Sequence, residues 1–234
     1  MHILVIDGGH VETEFRAKFG PGHEYTFISL EYELPDGWAP IEKRIADAII
    51  VTDVAFCFCE AQEGYNHYPV VEDATYPVFV EIISESLTNK QWEASNGPPK
   101  NPFLFGFCGL PTLLNRPLLE VSLYHEADRE KLTETCAALG TDYRVVADRV
   151  GLVTPRVICQ IINEAYYTVQ EGTASRADVD LGMKLGTNYP HGPFAWANAI
   201  GITRVYAVLE ALWQDTHDER YKVCPLLKRE ALRG

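Results

Sequence analysis

The sequence predicts an α/β plus all-α chain, with a sheet domain over residues 1–147 and a helical domain over 148–234. Two patterns predict it. Up to Ala147 the apolar residues gather in short β-rich runs, near-continuous in the way of strands covered on both faces, as in a parallel sheet. From Val153 onward they recur at helical spacing. The length, 234 residues, suits one or two domains, and a hydrophobic fraction of 47% supports a real core.

The expected strands are Ile3–Ile6, Tyr25–Leu30, Ile49–Val51, Val54–Cys59, Val78–Ile83, Phe103–Phe107, Leu118–Leu123 and Tyr143–Ala147. A short helix fits between Leu30 and Ile49. Another spans Ala127–Leu139, with Gly140 as its stop signal. Right-handed βαβ crossovers are the expected wiring. In the second half, Val157, Ile161, Ile162, Ala165 and Val169 form one helical face that ends at Gly172. Ser175 begins a capping box. Pro193 opens a helix that carries Phe194, Ala197, Val205, Val208, Leu209 and Leu212, and Cys224–Leu232 forms a last short helix.

Charge and composition narrow the partners. Twenty Lys and Arg against 33 Asp and Glu give a net charge of −13. Such a chain repels nucleic-acid phosphates and anionic lipid, so any anionic ligand must rely on local donors. No apolar run approaches the ~20 residues of a membrane span, and Met1–Ile6 lacks the basic flank of a signal peptide. The six cysteines form no Cys-x-x-Cys pair and have no His at zinc spacing, so no metal site is expected. They read as core thiols of a cytoplasmic protein.

Several segments in order resemble one family. They are Leu119–Val121, Asp148–Arg156, Asn163–Ala165, Glu171–Ser175, Asp178–Asp180, Gly186–Phe194 and Tyr221–Leu227. Together they are similar to the NAD-dependent 3-hydroxyacyl-CoA dehydrogenases, over about half the chain and best in its helical part. The resemblance implies a reduced Rossmann-like sheet domain and a helical domain carrying a homodimer interface. It also implies an oxidoreductase of fatty-acid and acyl-CoA metabolism, with NAD as cofactor and an acyl-CoA-like ligand.

The cofactor loop expected of such a fold is Gly-x-Gly-x-x-Gly after the first strand. Here the matching run is Val5-Ile-Asp-Gly-Gly-His-Val-Glu12, whose aligned positions are Asp7, Gly9 and Glu12. Gly8 and Gly9 remain as candidate phosphate-facing backbone, and Glu31, at the end of the second strand, as a candidate ribose-binding acid. Asp7 puts a carboxylate where a pyrophosphate would sit.

The family's chemistry, by resemblance, uses a His held by a Glu, assisted by a Ser and an Asn. Glu120 matches the Glu. The His position reads Phe107 or Cys108, the Asn position reads Pro155, and the Ser region is answered by Ser84 or Ser86. Phe cannot accept a proton, and an ordinary thiol holds its own to a pKa of ~8.5. His125 would lie ~16 Å along the strand from Glu120 and on its other face. The stretch between Leu30 and Ile49 is also too short for the helical hairpin that contacts CoA in the family. Two readings stand: a 3-hydroxyacyl-CoA dehydrogenase of unusual sequence, or a catalytically inactive dimeric relative that binds an acyl-CoA-like ligand or a protein partner. The departures favour the second.

Overall fold

In the computed structural model the residues described are 1–30, 39–58, 74–89, 101 and 103–233. The sheet has seven strands: β1 His2–Ile6, β2 Glu24–Ile28, β3 Val54–Cys57, β4 Val78–Glu81, β5 Leu104–Phe107, β6 Leu118–Leu123 and β7 Asp142–Val145. Their spatial order is β2-β1-β3-β4-β5-β6-β7. Every neighbouring pair is parallel except β5 with β6, where Phe107 faces Val121 across an antiparallel step. The last two strands therefore run against the other five. The run Ile49–Val51, expected as a strand, is not one. Helix α1 spans Glu12–Phe19, and helix α2, Ala39–Ile49, carries the chain into that run, where the Val51 amide donates to the Ala48 carbonyl in a closing turn. Ile50 and Val51 are exposed there, so the run is a helix end and turn at the surface rather than a strand in the core.

Alternation along the strands sorts the core into two faces. Ile3, Val5, Val54, Phe56, Phe79, Phe105, Phe107 and Val121 pack against Phe15 and Phe19 of α1 and against Leu132, Cys136 and Leu139 of helix α3, Arg129–Leu139. Within this layer Phe56 and Phe79 stack with ring centroids 4.7 Å apart. The intervening residues, Leu4, Ile6, Ala55, Cys57, Val78 and Val80, join a second cluster that continues into the helical half. Glu120 and Ser122 lie on this second face by the same alternation, since Leu119 and Val121 belong to the first.

The helical half contains α4 Thr154–Gln170, α5 Arg176–Thr187, α6 Pro193–Ile200, α7 Ile202–Thr216 and α8 Pro225–Ala231. The single long helix expected after Pro193 is two, broken at Gly201, whose φ of 96° no helix accommodates. Ser175 caps α5 as expected, its hydroxyl accepting from the Asp178 amide at 3.2 Å. Asp180, from α5, accepts from the Phe194 and Ala195 amides at 2.7 and 3.1 Å, so α6 is capped by a neighbouring helix. A Cβ on Gly192 would lie 2.3 Å from the Asp180 Cγ, which explains the glycine. Buried Asn163 on α4 donates to the Lys222 carbonyl and accepts from the Cys224 amide, fixing the approach to α8. No helix among the described residues is long and apolar enough to cross a membrane.

Candidate active site

The carboxyl ends of β1 and β3, where the strand order changes direction, flank the crevice in which open α/β sheets bind ligands. The chain leaves β1 through Asp7, which takes φ 55°, the left-handed turn that a glycine makes at no cost. Its carboxylate is not aimed at open space. Oδ1 accepts from the Leu30 amide at 2.7 Å and ties the end of β1 to the end of β2. Gly8 follows, with Val5 Cγ1 only 2.4 Å from where its Cβ would stand, so close packing demands a glycine. A Cβ on Gly9 would meet nothing within 4 Å. A 3-10 turn, Gly9–Val11, then leads into α1, and Glu12 pairs with Arg16 at 2.8 Å. The backbone turn and the open face at Gly9 fit a dinucleotide, and the Asp7 charge is partly answered by an amide. Glu31 lies outside the described residues.

Glu14 on α1 fixes the next loop. Its carboxylate accepts from the amides of Thr112, Leu114 and Asn115 at 2.8–3.0 Å. Lys18 Nζ donates to the Arg116 carbonyl in the same loop. Helix α1 thereby anchors the connection from β5 to β6, which carries the candidate catalytic positions.

A cleft of about 430 Å³ opens there, lined by Cys108, Leu113, Arg116, Glu120, Arg144 and Thr154 among others. The strand faces separate the two residues offered for the His position. Phe107 points into the aromatic layer, 5.2 Å from the Phe58 ring, while Cys108 lies on the other side, in the cleft with Glu120. Burial pushes the Cys108 thiol well above its ordinary value; the Leu110 backbone lowers it, the Glu120 and Glu81 carboxylates raise it further, and Arg116 lowers it. A neutral buried thiol is a poor general base.

Glu120 is engaged elsewhere. Oε1 accepts from the Val153 amide, and the Thr154 amide lies 3.1 Å from Oε2 and 3.3 Å from Oε1. These are the first amides of α4, and Pro155 has no amide to satisfy. The turn that delivers them passes through Leu152 at φ 42°. Glu120 is thus the N-terminal cap of α4, delivered from the sheet, and Pro155 at the Asn position is a helix-start residue.

The serines are not drawn to this cleft. Ser86 Oγ accepts from the Asn89 amide at 3.1 Å, a local turn contact, and Ser84 is half-buried. No hydrogen bond joins either to Glu120 among the described residues. Their segment is held by Asp148, which accepts from the Leu87 and Thr88 amides at 2.7 and 2.9 Å. Among the described residues no group of three or more His, Cys, Asp and Glu side chains could hold a metal ion.

Sequence reasoning missed Arg116 and Arg144. Arg116, half-buried, donates from Nη1 to Thr154 Oγ1 at 3.1 Å. Arg144 sits opposite Glu120 in the β6–β7 register. The only available signal was two basic residues flanking Glu120 in an acidic chain, and their convergence depends on β7 pairing with β6.

A seven-stranded, largely parallel sheet with a glycine turn after β1, followed by a helical part, defines the Rossmann-type class of fold. Residues 151–234 match the family described as 3-hydroxyacyl-CoA dehydrogenase, C-terminal domain. Those C-terminal residues belong to that domain family. The chain is 44% identical over 87 residues to 3-hydroxyadipyl-CoA dehydrogenase of Escherichia coli (strain K12), a stretch covering 37% of this chain and 18% of that protein. It is 34% identical over 127 residues to 3-hydroxybutyryl-CoA dehydrogenase of Bradyrhizobium diazoefficiens, covering 52% of this chain and 43% of that one. The chain spans less than half the length of these curated relatives. The crystal structure of (S)-3-hydroxybutyryl-CoA dehydrogenase from Ralstonia eutropha shares the fold across 100% of this chain and 94% of its own, with a TM-score of 0.67 and 22% identity.

Proposed function

We propose that this protein is a 3-hydroxyacyl-CoA dehydrogenase-like member of acyl-CoA metabolism that keeps the ligand scaffold and lacks hydroxyacyl oxidation by the His–Glu route. The observation that carries the reading is Cys108. It stands in the cleft beside Glu120 at the position where the family resemblance calls for a His, and burial keeps it protonated. Among the described residues lining the cleft there is no imidazole to take the hydroxyl proton, and Glu120 is committed to the amides of α4.

NAD is the cofactor that this reading assigns, in the crevice at Gly8 and Gly9. The open face of Gly9 and the backbone of the turn would hold its pyrophosphate. When bound, NAD supplies the hydride acceptor. The residues of this chain bind and orient, and exclude water from a cleft walled by Leu113, Leu119, Val146 and Val153.

The test is a pair of measurements on the purified chain. NADH fluorescence titration is expected to saturate. NADH with acetoacetyl-CoA is expected to show no loss of nicotinamide absorbance above background. Turnover well above background would overturn the inactive reading, and absence of NADH binding would remove the cofactor assignment. A second reading, an active dehydrogenase of unusual sequence, is favoured by Cys108 and Glu120 sharing one cleft; the same assay decides between the two.

The reading also includes a homodimer through the C-terminal helices. Helix α5 has no buried residue, and its Leu181 and Leu185 are 57% and 77% exposed. Unpartnered leucines on an amphipathic helix are supporting evidence for a covered face. Leu185→Glu is expected to convert a dimer to a monomer in sedimentation velocity; a wild-type monomer would sink this part.

A further inference from the structure

The cleft beside Glu120 carries a feature that neither the family resemblance nor the proposed function uses. The chain has 33 acidic residues against 20 basic ones, and other arginines illustrate the consequence: Arg16, Arg129, Arg149, Arg176 and Arg220 each lie within ion-pair distance of a carboxylate. Arg116 and Arg144 line the cleft together, and among the described residues neither forms an ion pair. Glu120, the acid that shares their cleft, points its oxygens at the α4 amides. Arg116 makes one contact, Nη1 to Thr154 Oγ1, which leaves most of its donor fork uncommitted. Arg144 donates from Nη1 to the Tyr143 carbonyl and is otherwise exposed.

The rest of the wall is apolar: Leu113, Leu119, Val146 and Val153. A volume of about 430 Å³ suits a small organic ligand. Guanidinium forks recognise planar anions by paired hydrogen bonds, and they do so most strongly where water is partly excluded. A chain with a net charge of −13 has no global field to draw an anion, so two unpaired cations in one apolar cleft are the local donors that such a ligand needs.

We infer that this cleft binds a ligand with a short aliphatic body and a carboxylate, the carboxylate held by Arg116 with Arg144 at the rim. The inference deepens the proposed function, and rests on it only in taking this cleft as the ligand site. It does not depend on hydride transfer. The carboxylate has two sources of the same chemistry: a free aliphatic acid, or an acyl chain that ends in a carboxylate on a CoA thioester.

The experiment is isothermal titration of the whole chain with hexanoate, with neutral hexanamide, with CoA, and with hexanoyl-CoA and adipyl-CoA. Hexanoate is expected to bind, with hexanamide at least about tenfold weaker. Arg116→Gln is expected to bring hexanoate down to the level of hexanamide, and Arg116→Lys to restore part of the loss. Circular dichroism confirms that both variants fold, and Arg144→Gln gives a second, exposed probe with a smaller loss. Adipyl-CoA binding more tightly than hexanoyl-CoA identifies a carboxylated acyl chain; equal thioesters with bound hexanoate identify the free acid. Equal affinity for hexanoate and hexanamide, no hexanoate binding, or an unchanged Arg116→Gln would overturn the inference. So would displacement of hexanoate by CoA alone, which would assign the arginines to a phosphate. Acetoacetyl-CoA turnover would refute the inactive reading and leave these affinities untouched, so the two failures are distinguishable.

Discussion

Glu120 offers the sharpest test of how the site is built, because its catalytic and architectural roles predict opposite responses to neutralisation. In the structure it accepts from the Val153 and Thr154 amides at the start of α4. Glu120→Gln keeps an acceptor and removes the charge. The charge contributes through the helix dipole by about 0.3–1 kcal/mol at exposed sites and up to ~2 where partly buried. Charge-assisted hydrogen bonds exceed neutral ones by about another 1 kcal/mol. The expected loss for Glu120→Gln is therefore ~1–2 kcal/mol. Glu120→Ala orphans both amides and should lose ~2–3 kcal/mol.

Urea unfolding followed by circular dichroism reads this as a lowered midpoint at constant slope. In thermal melts, a chain of this size shifts by about 2–4 °C per kcal/mol, so Glu120→Ala should melt roughly 4–12 °C below wild type. A Glu120→Gln variant more stable than wild type would refute the capping argument. That result is the signature of an acid held under strain for function. A Glu120→Ala loss under about 0.5 kcal/mol would refute it as well, since that is the scale of an ordinary surface change.

The remaining predictions concern the crevice, the helical half and pH. Gly8→Ala forces a Cβ to within 2.4 Å of Val5 Cγ1 and should cost about 1–3 kcal/mol, whereas Gly9→Ala, with nothing within 4 Å, should leave the urea midpoint within about 0.5 kcal/mol and weaken NADH binding. Equal destabilisation by both would contradict the packing described. Gly192→Ala should displace Asp180 from the α6 amides and lower stability by about 1–2 kcal/mol; a neutral result in denaturant titration would show that the cap tolerates a side chain. Burial pushes Cys136 and Cys159 up to about 12, from an ordinary 9.0. The unfolded chain then releases these protons first, so stability falls as pH rises from 9 toward 12, by up to about 1.4 kcal/mol per pH unit and thiol. A urea midpoint equal at pH 8 and pH 10.5 would count against it.

Much of the fold was legible because strand alternation and helix punctuation are local. Ile3–Ile6 reads as a strand covered on both faces on sequence alone, and Ser175 declares the start of α5. The antiparallel step between β5 and β6 was not legible. It decides which of Phe107 and Cys108 shares a face with Glu120, because Phe107 pairs with Val121 in that register. Pairing partners, which composition does not reveal, place Cys108 rather than Phe107 on the face of Glu120. The break at Gly201 was hidden by apolar spacing that continues in phase across two helices. Arg116 and Arg144 were hidden for a related reason. They lie on opposite sides of a helical crossover, and only the β6–β7 pairing makes them neighbours.

The fate of Glu120 also bears on how much a retained residue says about activity. Its match to the family suggests a surviving catalytic acid. Yet the helix beginning at Thr154 presents amides that need an acceptor, Pro155 removes one of them, and no side chain within the helix start serves as cap. The Glu120 carboxylate therefore has an architectural role whether or not chemistry occurs. The informative position is 108, where no architectural demand for a His exists and a thiol fills the space without charge. The guanidinium of Arg116 enters the same cleft, which therefore holds a fixed cation beside a neutral thiol. An imidazole accepts a proton and becomes cationic only during a reaction; a guanidinium is cationic throughout. A cleft lined by a fixed cation and a neutral thiol favours holding a resident anion over passing a proton, and on the proposed reading that links Cys108 to the carboxylate assigned to Arg116.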